Sequence, residues 1–534
     1  MDFLSEGPEW NFDIDTRNAW SEWDVQTQRK QRPHHQTPRE TLRVSAWVSS
    51  REITGPHHPL SIRATQPPAR RPETDNTLHM GHHLPPAANT PQHLNWPARL
   101  QHAALTSADP ARAVTAALAS HPSTGQPQSV LAIGKASVAM TTGATTAIAA
   151  LHPARTLILA PADASPSSLP PAARLLHCDH PYPTARNVAA ALEVEAFVRD
   201  CPAGSSLLLL LSGGASAYLA SPAPGLTLED LAAITRDLQR AGATIHELNT
   251  IRKHLERLKG GRLGALCPVP ILALVLSDVL GDPLDIIGSG PVTPDPSTFA
   301  DALAIIERLN LAQDHAAVAR HLREGTHNPT SETPKPGDSR LSHVTTQIIA
   351  NNARVVNGVA DACRAMHWHI AHIEYDLQSQ SHTVARHIIQ RAASSTPRIA
   401  NDAPRAWIAG GETTVDLRNA RSLSTQATGG PSQELALEAA RLIARLTPTR
   451  DLQLWAFSTD GRDGPTDAAG ALISSTTWDV IRRAGLDPDQ CLRDHNSHAA
   501  LNAAHALIRT GETGTNLNHV WVLVEGAPVL TPHA

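Results

Sequence analysis

Residues 205–219 read SSLLLLLSGGASAYL. Five consecutive leucines leave no polar face, so the run suits a strand buried on both sides, and the Ser-Gly-Gly that follows is a turn into a helix. The same grammar recurs at SVLAIGKAS (129–137), a buried strand, a glycine turn and a helix start. TLILA (156–160) reads as another strand, and PILALVLSDVLGD (270–282) as a strand running into a loop. Strands alternating with Ala-rich helices at this spacing predict βαβ units and a parallel sheet.

Working outward, the texture changes on both sides. Residues 96–120 have helical spacing interrupted at Pro110, whereas residues 1–94 lack hydrophobic periodicity and are rich in Pro, His, Arg and Gln, as in RKQRPHHQTPRET (29–41). Such a segment cannot bury enough apolar surface to order itself, and a disordered extension is expected. Its His pairs (34–35, 57–58, 82–83) and tryptophans (10, 20, 23, 47) fit either a docking peptide or an unstructured tail. The stretch 326–340, THNPTSETPKPGDSR, reads as a linker or long loop. A second α/β region follows, with strands in VTTQIIANN (344–352), HWHIAHIEY (367–375), APRAWIAGGETTV (403–415), LQLWAFSTDG (452–461) and HVWVLVEG (519–526). The expected architecture is α/β: two α/β domains, 95–335 and 336–534, with mostly parallel, Rossmann-like sheets and a cleft between them, preceded by the disordered extension 1–94.

Composition narrows the function classes. The chain has 534 residues, a net charge of −5 and 3% aromatic residues. The near-neutral balance offers no basic face for nucleic acid. The leucine run falls far short of the ~20 apolar residues of a membrane helix. The acidic, polar N-terminus MDFLSEGPEW is not a signal peptide, and five cysteines without a CxxC pair suit reduced core thiols in a cytoplasmic protein. Lysine is scarce: five in all, at 30, 135, 253, 259 and 335, against 40 arginines. Three of the five fall in glycine-bearing segments.

Those segments carry the candidate chemistry. In parallel α/β sheets ligands bind at the carboxyl ends of strands, where glycine turns open onto helix N-termini. GKAS (134–137) offers Lys135 as a point charge for phosphate, or is a plain turn bearing a surface lysine. Ser212, Gly213 and Gly214 form a turn able to cradle an anion. In GATIHELNTIRKHLERLKGGRL (242–263), Asn249, Arg252, Lys253 and Glu256 share one helix side, and Lys259 precedes a glycine pair. Asp278 and Asp282 stand just past a strand, where carboxylates suit Mg²⁺ or a substrate hydroxyl, and GSGP (288–291) adds a turn. GGETTV (410–415) brings Glu412. STDGRDGPTDAAG (458–470) brings Asp460, Asp463 and Asp467, as a metal or phosphate site or as a surface turn with Asp caps. GETGTN (511–516) reads as one more anion loop.

The ordered set of ADPARAV (108–114), GKAS, HPYP (180–183), SGGASA (212–217), the 242–263 segment, SDVLGDPLDIIGSGPVTPD (277–295), GGETTV, STDGRDGPTDAAG and TGTN (513–516) resembles the bacterial-type glycerate 2-kinases, whose C-terminal part is the MOFRL domain. The resemblance spans roughly 97–530. It implies ATP- and Mg²⁺-dependent phosphorylation of D-glycerate to 2-phosphoglycerate in a cleft between two α/β domains, and leaves room for a homo-oligomer. Carried over, it makes Lys135, Arg252 and Asp460 catalytic and assigns substrate or nucleotide binding to Ser212, Gly213, Gly214, Lys253, Lys259 and Glu412. Asp278 and Asp460 would hold the metal. The chain departs from the family pattern at three places. GGRNQE is GGPSQE (429–434), so Pro431 stands where a basic residue is expected, with Arg421 as a nearby substitute. GEAR is SQSH (379–382). The Asn-Asp after TGTN is Asn518-His519. Two other readings follow: a catalytically impaired or altered-substrate relative that still binds ATP or a small hydroxy acid, and a hydroxypyruvate reductase. The latter needs a nicotinamide site, and GSGPVT (288–293) lacks the third glycine of a GxGxxG turn.

Overall fold

The computed structural model describes residues 95–120, 129–147, 155–165, 169–170, 173–398, 402–417, 427–446 and 450–528. The N-terminal extension with its His pairs, its tryptophans and Lys30 lies outside the described residues, as does Arg421.

Among the described residues, twelve strands form two six-stranded sheets. The first contains β1 (Ser129–Ile133), β2 (Arg155–Pro161), β3 (Ala173–Cys178), β4 (Leu207–Leu211), β5 (Ile271–Leu276) and β6 (Val344–Ala350). They pair in the order β3-β2-β1-β4-β5-β6, parallel throughout. The leucine run is β4, central and buried along its whole length. Its alternation splits it between two cores: Leu208 and Leu210 pack with one cluster, Leu207, Leu209 and Leu211 with another on the opposite face. Each fully buried leucine is worth about 1.5–3 kcal/mol, which is why a strand covered on both faces tolerates no polar residue.

The second sheet comprises β7 (His369–Gln380), β8 (Arg405–Thr414), β9 (Leu452–Ser458), β10 (Gly470–Ser474), β11 (Leu507–Ile508) and β12 (His519–Glu525), in the order β11-β10-β9-β12-β8-β7. Only β7 and β8 run parallel; the other pairings are antiparallel. This corrects the expectation of a mostly parallel second sheet. β9 and β12 are buried at every position, and an antiparallel strand covered on both faces has the same continuous apolar signature as a parallel one.

β6 also differs from expectation. Assigned by composition to the second region, it extends the first sheet beside β5. The Pro-rich stretch before it is a long loop, and it is packed. Thr333 is buried and donates to Asp295 Oδ2 at 3.1 Å, Glu332 Oε1 meets His254 Nε2 at 3.0 Å, and Lys335 Nζ donates to Thr333 Oγ1 at 2.7 Å. Polar composition alone cannot distinguish such a hydrogen-bonded loop from a solvated linker.

The helices Trp96–Ala108 and Pro110–Ala119 break at Asp109, whose carboxylate caps the second by accepting from Ala111 N (2.8 Å) and Arg112 N (3.2 Å). The first of them packs along Asn352–Ala365. Both join a core that takes Val130, Ala132 and Leu208 from the first sheet and Ile408, Phe457 and Val522 from the second. This shared core joins the two sheets.

Candidate functional site

In the first sheet the winding reverses between β1 and β4, the topological switch point where ligands of open α/β sheets bind. The two expected glycine loops meet there. Ser212 N donates to Ile133 O at 3.0 Å, Lys135 N to Gly213 O at 2.8 Å, and Ala136 N to Ser212 Oγ at 3.1 Å. Gly134 has φ +124°, and a Cβ on it would lie 2.5 Å from the Ser212 carbonyl oxygen, so no other residue fits. A Cβ on Gly213 would lie 2.1 Å from Asp278 Oδ2. The carboxylate that follows β5 therefore rests on the bare α-carbon of the β4 loop. Lys135 is exposed and has no ion-pair partner among the described residues. Burial pushes the Asp278 carboxyl above its ordinary range, and the Lys135 charge draws it partly back.

The second sheet meets this point from the other side. Asn518 Nδ2 donates to Asp278 O at 2.9 Å. Asn518 precedes His519, the first residue of β12, which pairs with Gly411 on β8 and Ser458 on β9. Glu412 stays open to water, yet protein crowded around it and the charge of Asp278 push its carboxyl upward. Asp460 Oδ1 accepts from Ser458 Oγ (2.7 Å) and Arg462 N (3.0 Å). Burial pushes His519 down to about 4, against the opposing charge of Asp460. The geometry thus brings together Lys135, Ser212, Gly213, Gly214, Asp278 and Glu412, with Asp460 on the adjoining loop.

The 242–263 segment serves differently. Its helix, Ile245–Leu255, begins with a capping box in which Glu247 Oε2 accepts from Thr244 N at 2.7 Å. Lys253 is 2% exposed, with Nζ 2.9 Å from Asp285 Oδ2 and 3.3 Å from Asp295 Oδ1. Lys259, equally buried, lies 2.5 Å from Glu256 Oε1. Both ammonium groups, expected to bind ligand, are already neutralised by internal carboxylates. Arg252 is half-buried; burial draws its guanidinium downward and Glu256 raises it. The glycine pair after the helix docks by backbone, with Gly260 N on Ser289 O (3.0 Å) and Gly261 N on Gly290 O (2.7 Å).

Sequence reasoning missed the link between this helix and the β4 loop. Ser289, buried and at φ +62°, donates to Asn249 Oδ1 at 2.7 Å and lies 2.9 Å from Ser216 Oγ. A non-glycine residue in the left-handed region was the available signal, but it is visible only in coordinates. Ser289→Ala is expected to lower stability by about 1–2 kcal/mol through these lost hydrogen bonds, read as an earlier urea midpoint with an unchanged slope.

Two other loops depart from expectation. In GETGTN the threonine hydroxyls are spent internally: Thr513 Oγ1 donates to Thr459 O at 2.6 Å and Thr515 Oγ1 to Ala108 O at 2.9 Å. In the 458–470 loop Asp463 is buried beneath the helix Pro431–Arg445, accepting from Ser432 N (2.9 Å) and Gln433 N (2.7 Å). Burial pushes its carboxyl up to about 7 despite these bonds.

Among the described residues no three His, Cys, Asp or Glu side chains gather as a closed metal site. The Asp278–Glu412 pair nevertheless suits Mg²⁺, which takes one or two protein carboxylates and completes its shell with phosphate oxygens and water. Two carboxyls raised by burial, Glu412 also by the charge of Asp278, are what a bound cation would relieve.

A Rossmann-order sheet with a lysine, glycine loops and an acid at its switch point, packed against a second sheet, is the arrangement in which α/β proteins hold ligands. The sequence matches the domain of unknown function DUF4147 over residues 98–323 and the MOFRL family over residues 405–519. It is 33% identical over 359 residues to a glycerate 2-kinase of Pyrococcus horikoshii, covering 66% of this chain and 78% of that protein. It is 33% identical over 433 residues to a putative hydroxypyruvate reductase of Agrobacterium vitis, covering 80% and 93%. The crystal structure of a glycerate kinase from Thermotoga maritima superposes with a TM-score of 0.71 at 31% identity, covering 82% of this chain and all of that one. The chain belongs to the glycerate kinase family with a C-terminal MOFRL domain. Among the described residues no helix is long and apolar enough to cross a membrane.

Proposed function

We propose that the chain transfers the γ-phosphoryl group of ATP to the 2-hydroxyl of D-glycerate. The observation that carries this reading is Lys135, an exposed ammonium without an ion-pair partner among the described residues, held at the switch point within the electrostatic reach of Asp278. Phosphoryl transfer asks the protein for in-line positioning and charge neutralisation. Lys135 neutralises the transferred group, with Arg252 as the second cation. The Ser212–Gly214 turn cradles phosphate or carboxylate oxygens. Mg²⁺, held by Asp278 and Glu412, would add charge neutralisation across the nucleotide phosphates. Asp460 orients the attacking hydroxyl and accepts its proton, while the hydroxyl oxygen bonds to phosphorus and the bond to the ADP leaving group breaks. Lys253 and Lys259 hold the surrounding loops through their carboxylate partners.

The test is ADP release by the purified protein with ATP, Mg²⁺ and D-glycerate, beside an active relative as a positive control. The expected product carries phosphate on carbon 2, seen as a phosphorus coupling to that carbon's proton by NMR. Phosphate on carbon 3 would refute the regiochemistry. No ADP release would refute the kinase reading, and oxidation of NADH by hydroxypyruvate would replace it with the reductase.

A further inference from the structure

His180 lies two residues past the end of β3 and has no role in the mechanism above. It borders the switch-point crevice. A Cβ on Gly214 would lie 3.3 Å from His180 Cδ2 and 3.4 Å from Lys135 Cγ, so the two side chains flank the same bare α-carbon. The imidazole stands edge-on to the buried ring of Tyr218, with centroids 6.3 Å apart and planes at 88°, which restricts its orientation. The ring is exposed, and neither nitrogen has a hydrogen-bond partner among the described residues. The neighbouring acid does not compete for it, since Asp179 accepts from Thr184 Oγ1 at 2.6 Å and pairs with Arg186 at 3.3 Å.

Although the residue is open to the crevice, the protein crowded around its ring, reinforced by the Lys135 charge, pushes His180 down to about 4. At neutral pH the ring therefore offers one N–H donor and one acceptor. A donor and an ammonium set side by side, open to the crevice and without an internal anion, are complementary to one oxyanion bridging both.

We propose that His180 contacts the bound ligand, donating a hydrogen bond to an oxyanion that Lys135 also holds. Given the kinase reading, this oxyanion is a phosphoryl oxygen of the nucleotide or the carboxylate of the hydroxy acid.

The experiment is calorimetric titration of D-glycerate and, separately, of MgATP into the full chain and its H180A and H180Q variants, with thermal melts confirming the fold. A hydrogen bond to a charged group corresponds to roughly a ten- to hundredfold change in Kd. H180A is expected to weaken one of the two ligands by at least about tenfold, naming the source of the oxyanion. H180Q, whose amide N–H can replace the ring donor, is expected to recover to within about threefold of wild type. Unchanged binding of both ligands in H180A would overturn the assignment. So would equal losses in H180A and H180Q, which would show a packing role against Tyr218. Wild-type protein that binds but releases no ADP would overturn the kinase reading while leaving the binding comparison decisive. Wild-type protein that binds neither ligand would overturn both.

Discussion

Replacing Lys135 with alanine is expected to lower kcat for ATP-dependent phosphorylation of D-glycerate by about a hundredfold or more, with the unfolding transition unmoved. The two halves of this result have separate causes. The side chain is exposed and forms no ion pair among the described residues, and its charge only partly offsets the burial of Asp278, which can take up a proton in its absence, so its loss costs the fold little. The backbone bond from Lys135 N to Gly213 O at 2.8 Å, which joins the two glycine loops, is independent of the side chain. What is lost is a cation aimed at charge that develops on the transferred group. Such a donor is worth about 3 kcal/mol or more in a preorganised site, which corresponds to a hundredfold in rate. Steady-state kinetics beside a denaturation curve check both halves. Full activity in the variant would remove Lys135 from the mechanism, and loss of folding would mean that the lysine is structural.

The contrast with Lys253 shows how far a sequence can speak for a site. Both lysines stand out in a chain that otherwise uses arginine, and both lie in glycine-bearing segments. One is open to solvent; the other is buried on Asp285 and Asp295. Nothing in the local sequence separates them, because the acids that neutralise Lys253 come from 32 and 42 residues away. The first sheet was legible because its strands are short apolar runs ending in glycine turns, a pattern that couples periodicity to topology. The second sheet was legible as strands but not in direction, since β12 is inserted between β8 and β9 by a long-range pairing. The switch point followed from the strand–glycine–helix grammar. Ser289 and His180 did not, since their significance rests on a φ angle in one case and on an unoccupied ring beside Lys135 in the other.

Pro431→Arg is expected to raise kcat by at least about tenfold and by up to about a hundredfold. Pro431 is the first residue of the helix Pro431–Arg445 and half-buried, at the position where the resembled family carries a basic side chain. Proline suits a first helical position, having no N–H to leave unpaired, so the helix is well formed without the cation. Arginine there gives up that preorganisation and faces the positive end of the helix dipole, a cost of about 0.3–1 kcal/mol. Asp463 offsets part of it. Its carboxylate already accepts from Ser432 N and Gln433 N beneath the same helix end and shares its loop with Asp460. A guanidinium added here gains an acidic neighbour and faces the loop that carries the candidate hydroxyl-orienting residue. If it supplies the missing cationic clamp, the gain approaches the ~3 kcal/mol that such a group contributes to a transition state. A rise in kcat with little change in KM for D-glycerate would locate the effect in the transition state. A fall in KM alone would assign the position to substrate binding. No change in either would show that Arg252 and Lys135 already meet the charge requirement, and that Pro431 is a neutral departure from the family.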